Sequence, residues 1–269
     1  MVNFLFWNLN KNYSLDLLVR LVNNHAVDIV MLAECPMKTT EILLGLNVNA
    51  NALFHDNPGQ CNRIMIISKL PKARVKPIFE TDRITIRQLR IPNRLELLLA
   101  VVHLQSKLHQ SEDSQKFEAT EIAKDIIRME NKVKHNRTLL VGDLNMNPFE
   151  HGIVAASGLH ATMDRRIAEQ GKRMVHTKEF PFFYNPMWSL LGDASEYPPG
   201  SYYRRESGQV AYFWHMFDQV LIRPELLPNF ENKHLKILDT DGQISLLRNG
   251  FPDKKIASDH LPILFRLNI

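Results

Sequence analysis

Residues 138–145 read Thr-Leu-Leu-Val-Gly-Asp-Leu-Asn. The run from Thr138 to Val141 is short and apolar, as in a buried strand. It stops at a glycine and is followed by two polar residues with ligand chemistry, Asp143 and Asn145. Alone, Gly-Asp-Leu-Asn is a sound β-turn, with Pro148 close by. The pattern gains weight because it recurs. Asn8 follows Asn-Phe-Leu-Phe-Trp, Glu34 follows Asp-Ile-Val-Met-Leu-Ala, and His103 follows Leu-Leu-Leu-Ala-Val-Val. Asp218 opens Asp-Gln-Val-Leu-Ile, and Asp259-His260 precede Leu-Pro-Ile-Leu-Phe. In packed α/β sheets such strand ends converge on one crevice. Each residue has a bland reading: Asn8 and Ser258-Asp259-His260 as turns, Glu34 paired with Lys38, His103 as a core histidine. Six separate coincidences at strand ends are the weaker account.

The remaining chain alternates between strand and helix patterns. Strands are predicted at Val2–Trp7, Val27–Ala33, Arg63–Ile67, Arg74–Phe79, Arg83–Leu89, Leu95–His103, Phe217–Ile222, His234–Leu238 and Pro262–Leu267. Ser14–Asn24 carries Leu17, Leu18, Leu21 and Val22 at helical spacing, with Ser14 as N-cap. Ser111–Lys134 is the clearest helix, with Ala119, Ile122, Ala123, Ile126, Ile127 and Val133 on one face and Glu112 and Asp113 in the first turn. Phe180–Gln209 reads as a long aromatic excursion holding Phe182, Phe183, Tyr184, Trp188, Tyr197, Tyr202 and Tyr203. No repeat or linker marks a boundary, so one α/β domain is expected over residues 1–269.

Composition removes several classes. Of 269 residues, 45% are apolar and 23% charged, which excludes disorder, collagen and coiled coil. The net charge of +4 is mildly basic and permits a polyanionic partner. Two cysteines, Cys35 and Cys61, exclude a disulfide scaffold and a zinc site of CxxC type. The longest apolar stretch, Leu97–Val102, is far short of the ~20 residues of a spanning helix. The N-terminus lacks a basic, cleavable leader, so a cytoplasmic protein is expected, with both thiols reduced. His55-Asp56 lies in turn-forming Phe-His-Asp-Asn-Pro-Gly rather than on a helix, against a helical HD phosphohydrolase. The signatures GxxxxGK[ST], HExxH and GxSxG are absent.

Six segments together carry a resemblance. They are Trp-Asn-Leu-Asn (7–10), Leu-Ala-Glu (32–34), Val-His-Leu-Gln-Ser (102–106), Val-Gly-Asp-Leu-Asn (141–145), Phe-Asp-Gln-Val-Leu (217–221) and Ser-Asp-His-Leu-Pro (258–262). In order and spacing the set resembles the endonuclease/exonuclease/phosphatase, DNase I-like, superfamily. The resemblance implies a four-layer α/β sandwich: two mostly antiparallel sheets flanked by helices, with the site at one edge of the sheets. It implies hydrolysis of a phosphate ester with Mg²⁺, Mn²⁺ being the other candidate. Glu34 would be the principal metal ligand, with Asp259, Asn8 and Asn10 near the ion. Asp143 would orient or deprotonate the attacking water, and Asn145 would hold the phosphate or that aspartate. His260, backed by Asp218, would contact the phosphate or act as acid or base, and His103 would assist the leaving group or stabilise charge. Which histidine serves as base varies among members. Two positions depart from the pattern: Asn10 stands where several members have Asp, and His103 where abasic-site endonucleases have Tyr.

The substrate is less constrained. Arg204, Arg205 and Tyr202, at the end of the aromatic excursion, suit backbone phosphates and stacked bases of a nucleic acid. Arg83, Arg87, Arg90 and Arg94, and Arg165, Arg166, Lys172 and Arg173, form further basic clusters. Against phosphate contacts stands the reading of these clusters as solvated strand and loop faces. A nuclease is the leading expectation. A phosphoesterase of small molecules or lipid headgroups is the alternative, and a non-catalytic binding protein the third.

Overall fold

The computed structural model describes residues 1–48, 52–107, 111–193 and 198–269; Tyr197 of the aromatic excursion lies outside them. In chain order the first half runs β1 Val2–Asn8, α1 Leu15–Asn24, β2 Ile29–Ala33, α2 Thr39–Asn47, β3 His55–Asp56, β4 Ile64–Ser68, β5 Val75–Glu80, β6 Ile84–Leu89, β7 Leu97–His103, α3 Glu112–Val133 and β8 Thr138–Asp143. The second half runs α4 His151–Val154, β9 Ala161–Thr162, α5 Arg165–Ala168, β10 Lys172–Val175, β11 Lys178–Pro181, β12 Phe183–Tyr184, β13 Tyr202–Tyr203, β14 Trp214–His215, β15 Asp218–Ile222, β16 Lys236–Ile237, β17 Leu247–Arg248, β18 Phe251–Pro252 and β19 Ile263–Leu267.

Two large sheets result, ordered β16-β19-β1-β2-β4-β3 and β5-β6-β7-β8-β15-β12-β9. Their pairings are antiparallel except β1–β2, β7–β8 and β9–β12. The mostly antiparallel expectation therefore holds.

Strand composition dictates the layers. Side chains alternate across a strand, and β1 is apolar at every position from Phe4 to Trp7, so both of its faces must be covered. Phe4 and Phe6 join Leu99, Val101, Leu139 and Val141 in the core between the sheets. Leu5 and Trp7 face the other way, onto Leu18 and Leu21 of α1 and Ile42 and Leu46 of α2. On the second sheet, Leu98, Ala100 and Leu140 pack under Ala119, Ile122 and Ile126 of α3. Helix, sheet, sheet, helix is the four-layer sandwich expected.

Three local readings change. Ser14 precedes α1 but makes no side-chain cap; its hydroxyl donates to the Ala257 carbonyl at 3.4 Å. The predicted strand at His234–Leu238 shrinks to Lys236–Ile237, because a 3₁₀ turn occupies Asn232–His234. His55-Asp56 forms a two-residue edge strand against Ser68 and Ile67 rather than a turn. Among the described residues no helix is long and apolar enough to cross a membrane.

Candidate active site

Strand register assembles the site. The parallel β7–β8 ladder sets His103 beside Asp143, and the antiparallel β8–β15 ladder sets Asp218 on the other side of Asp143. The β7–β8 approach requires Gly142, whose φ is +148° and where a Cβ would lie 2.0 Å from the Val102 carbonyl oxygen. In the facing sheet Asn8 pairs with Ala33, so Glu34 emerges beside it. The last segment is tied to the first strand: Trp7 Nε1 donates to the His260 carbonyl at 3.0 Å, and Ser258 Oγ to the Asn8 carbonyl at 2.7 Å. An isolated bridge joins His260 to Tyr202. Asn10, Glu34 and Asn145 all hold positive φ, of 45°, 46° and 49°.

Asp143 is buried at the centre. Its Oδ2 accepts from Asn8 Nδ2 at 3.0 Å, and its Oδ1 from the Asn145 amide at 2.9 Å. Two imidazoles flank it, His103 Nε2 at 3.9 Å and His260 Nε2 at 4.0 Å. Burial pushes the Asp143 carboxyl upward, with charge on His260 pulling the other way. Asp218 sits behind His260 and accepts from its Nδ1 at 2.8 Å. Ser201 Oγ holds the Asp218 amide at 3.0 Å. Burial disfavours charge on the His260 ring, but the surrounding carboxylates, Asp218 first and then Asp143 and Asp259, together outweigh it, and the ring is pushed up to about 10.

Glu34 Oε1 lies 3.3 Å from His103 Nε2, a contact that holds the Glu34 carboxyl below its ordinary range despite partial burial. Asp259 pairs one oxygen with Lys254 Nζ at 3.0 Å; its other oxygen, Oδ1, is buried without a hydrogen-bond partner. These carboxylates and the side chains of Asn8 and Asn10 line one cleft of about 510 Å³. Hard oxygen donors and a buried, unpartnered carboxylate oxygen fit a hard divalent cation such as Mg²⁺. Without a cation or donor, burying such an oxygen is costly. Among the described residues one trio of His, Cys, Asp and Glu ligand atoms is also compact enough for a metal: Asp143, Asp218 and His260, within 4.8 Å of one another.

Of the other predicted site residues, His103, Asn145, Tyr202 and Arg204 also line the cleft. Arg205 is exposed and stands outside its lining. The basic clusters disperse. Arg87 is buried against Glu80, Arg90 pairs with Glu96, and Arg165, Arg166 and Lys172 pair with Glu169, Asp164 and Glu179. Only Arg83 of those clusters reaches the cleft, joined by Arg63. Sequence reasoning missed Lys107, Glu206 and His215, which line the wall beyond Tyr202. His215 ends a two-residue strand, too short for a hydrophobic pattern to reveal.

The chain belongs to the endonuclease/exonuclease/phosphatase family, whose model matches residues 5–260. It is thus a phosphoesterase-family hydrolase with a buried Asp143–Asp218–His260 cluster. Solved structures show the same fold. A family protein from Leptotrichia buccalis is 14% identical, covering 100% of each chain, with TM-score 0.56. TDP2 from D. rerio, complexed with a single-strand DNA product, is 17% identical over 98% of this chain and 97% of that one, TM-score 0.54. The 3′ phosphatase NExo from Neisseria, bound to a product DNA hairpin, is 15% identical over 100% of each chain, TM-score 0.52. No curated protein matches the sequence.

Proposed function

We propose that this single-domain chain is a divalent-metal-dependent phosphodiesterase, a nuclease acting on DNA or RNA in the cytoplasm. The observation that carries the reading is the composition of one cleft: unpartnered carboxylate oxygen beside a central aspartate flanked by two imidazoles. Glu34 and Asp259, with the amides of Asn8 and Asn10 beside them, would hold Mg²⁺ or Mn²⁺. A cation there supplies neutralisation of charge on the phosphoryl oxygens. Asp143 takes a proton from the attacking water, a role suited to a carboxyl raised by burial. Asn8 and the Asn145 amide fix its two oxygens and so its direction.

His260 keeps its proton because Asp218 lies behind it, and offers Nε2–H to charge growing on phosphorus. We therefore read the Asp143–Asp218–His260 trio as proton-holding: the His260 Nδ1 lone pair is not available to a cation while Asp218 accepts the Nδ1 hydrogen at 2.8 Å. His103, anchored by Glu34, attends the leaving oxygen. Arg204 and Tyr202 would contact the flanking chain, and Arg205 a phosphate further out.

One observation favours the small-phosphoester alternative: the Glu206 carboxylate sits in the cleft wall, where it repels a polyanion. Salt separates the two, since nucleic-acid cleavage should fall steeply as salt rises. The test of the reaction itself is hydrolysis of bis-p-nitrophenyl phosphate, single-stranded DNA and RNA with Mg²⁺ or Mn²⁺ and with EDTA. EDTA should stop turnover. Glu34→Ala should abolish it and weaken Mn²⁺ binding by calorimetry, with the thermal unfolding midpoint unmoved. Full activity in the variant rejects the metal assignment.

A further inference from the structure

Beyond Tyr202 the cleft has a wall that the reaction above leaves unused. Tyr202 pairs with His215 across β13–β14 and bridges to His260 on its other side. Three neighbouring strand positions, each about 5 Å from the next, place His215 about 10 Å from His260, Cα to Cα. The Tyr202 ring lies 4.6 Å from the His260 ring and 6.0 Å from the His215 ring, centroid to centroid, so the two imidazoles bracket one aromatic side chain of the cleft.

The His215 ring is buried and stacked on Phe217, centroids 4.6 Å apart. Its tautomer follows from its neighbours. Asn147 Oδ1 accepts the Met216 amide at 3.0 Å, which turns the Asn147 amide nitrogen toward His215 Nδ1 at 3.1 Å. An amide nitrogen only donates, so Nδ1 accepts and the ring hydrogen sits on Nε2. Burial keeps the ring from taking a second proton.

His215 Nε2 lies 3.6 Å from Glu206 Oε1, too long for a strong hydrogen bond. The other Glu206 oxygen is fixed by the Tyr212 and Phe213 amides at 2.9 and 3.5 Å. The wall thus presents an N–H donor and a carboxylate acceptor side by side, each held from behind and neither saturated by the other. A phosphate oxygen seated between them would meet repulsion from Glu206, while Lys107 in the same wall is already paired with Glu150. An ammonium group would leave the N–H without an acceptor. A hydroxyl offers one hydrogen and lone pairs on a single atom.

We infer that Glu206 and His215 form a subsite that reads a sugar hydroxyl near the scissile ester, the hydroxyl donating to Glu206 Oε1 and accepting from His215 Nε2–H. This deepens the phosphodiesterase reading and rests on it.

The test uses the 5′-(p-nitrophenyl phosphate) esters of uridine, 2′-deoxyuridine and 2′,3′-dideoxyuridine, with bis-p-nitrophenyl phosphate as each variant's reference rate. For the wild type, kcat/KM should drop about tenfold or more when the read hydroxyl is lost, the worth of one hydrogen bond to a charged group. The deoxy and dideoxy arms tell the 2′ from the 3′ hydroxyl. Glu206→Gln keeps an oxygen for the two backbone amides, and His215→Phe keeps the ring on Phe217. Both variants should bring the three esters to within about threefold of one another. A wild type that treats the three alike, or variants that discriminate as it does, overturns the inference alone; the shared uracil makes base recognition fall under the first outcome. A wild type that also fails on bis-p-nitrophenyl phosphate overturns the phosphodiesterase reading and the inference with it.

Discussion

His260 and His215 sit on either side of Tyr202, both buried, with opposite charge preferences. Behind His260 Nδ1 stands a carboxylate, Asp218, and the ring is pushed up to about 10. Behind His215 Nδ1 stands an amide, Asn147; burial then dominates, and the ring falls below its ordinary value. The same side chain at similar depth serves as a proton holder in one place and a neutral donor in the other. The far nitrogen faces a carboxylate in one case and an amide in the other; Asp143 and Asp259 add to the rise at His260, and Lys107 adds to the fall at His215.

The sharpest break of this comparison is His260→Ala. Turnover of bis-p-nitrophenyl phosphate should fall by about 10²–10⁴-fold, the usual worth of a positioned acid or base. A normal rate would remove His260 from the reaction.

Asp218→Asn makes the backing of His260 resemble that of His215. The raised pKa means that the pair stabilises the fold fully below about 6.5 and loses that contribution as pH rises through about 10. In the variant the ring should release its proton at or below the ordinary imidazole range, and the alkaline limb of the rate should move down with it. Imidazole NMR on the metal-free protein measures the first. A titration still near 10 would assign the shift to some other group.

The smallest effect is the converse, Asn147→Asp. A carboxylate behind His215 should raise that ring, seen in the same NMR titration, with little change on bis-p-nitrophenyl phosphate. In the wild type the lowered His215 pKa works with the opposite sign. The unfolded chain binds this proton more readily, so the contribution to stability is lost as pH falls below about 6.5. An unmoved His215 titration in the variant would show that burial, not the backing group, sets its charge.

Much of this was readable from residues alone. The apolar strands that end at Asn8, Glu34, His103 and Asp143, and the one that Asp259-His260 precede, are local facts, because buried strands need continuous apolar runs and sites gather at strand ends. The boundaries of α3 were equally local, set by Ser111, whose hydroxyl accepts from the Ser114 amide at 3.2 Å, and by Lys134 in the left-handed conformation. For the basic clusters the residues left solvated faces and phosphate contacts both open, because sequence cannot show that Arg87 faces Glu80 or that Arg166 faces Asp164. Ser14 misled for the same reason: its hydroxyl found the carbonyl of Ala257, 243 positions away.

By itself the sequence determined the α/β class, the family and which polar side chains end at the sheet edge, since periodicity and motif are carried within short segments. Only the tertiary structure decided that His103 and Asp218 flank Asp143, that Asn8 turns its amide onto that aspartate, and that Glu206 and His215 complete the wall. The reason is physical: a side chain's charge and direction depend on the partner strand that register places against it, and register is a property of the packed sheets.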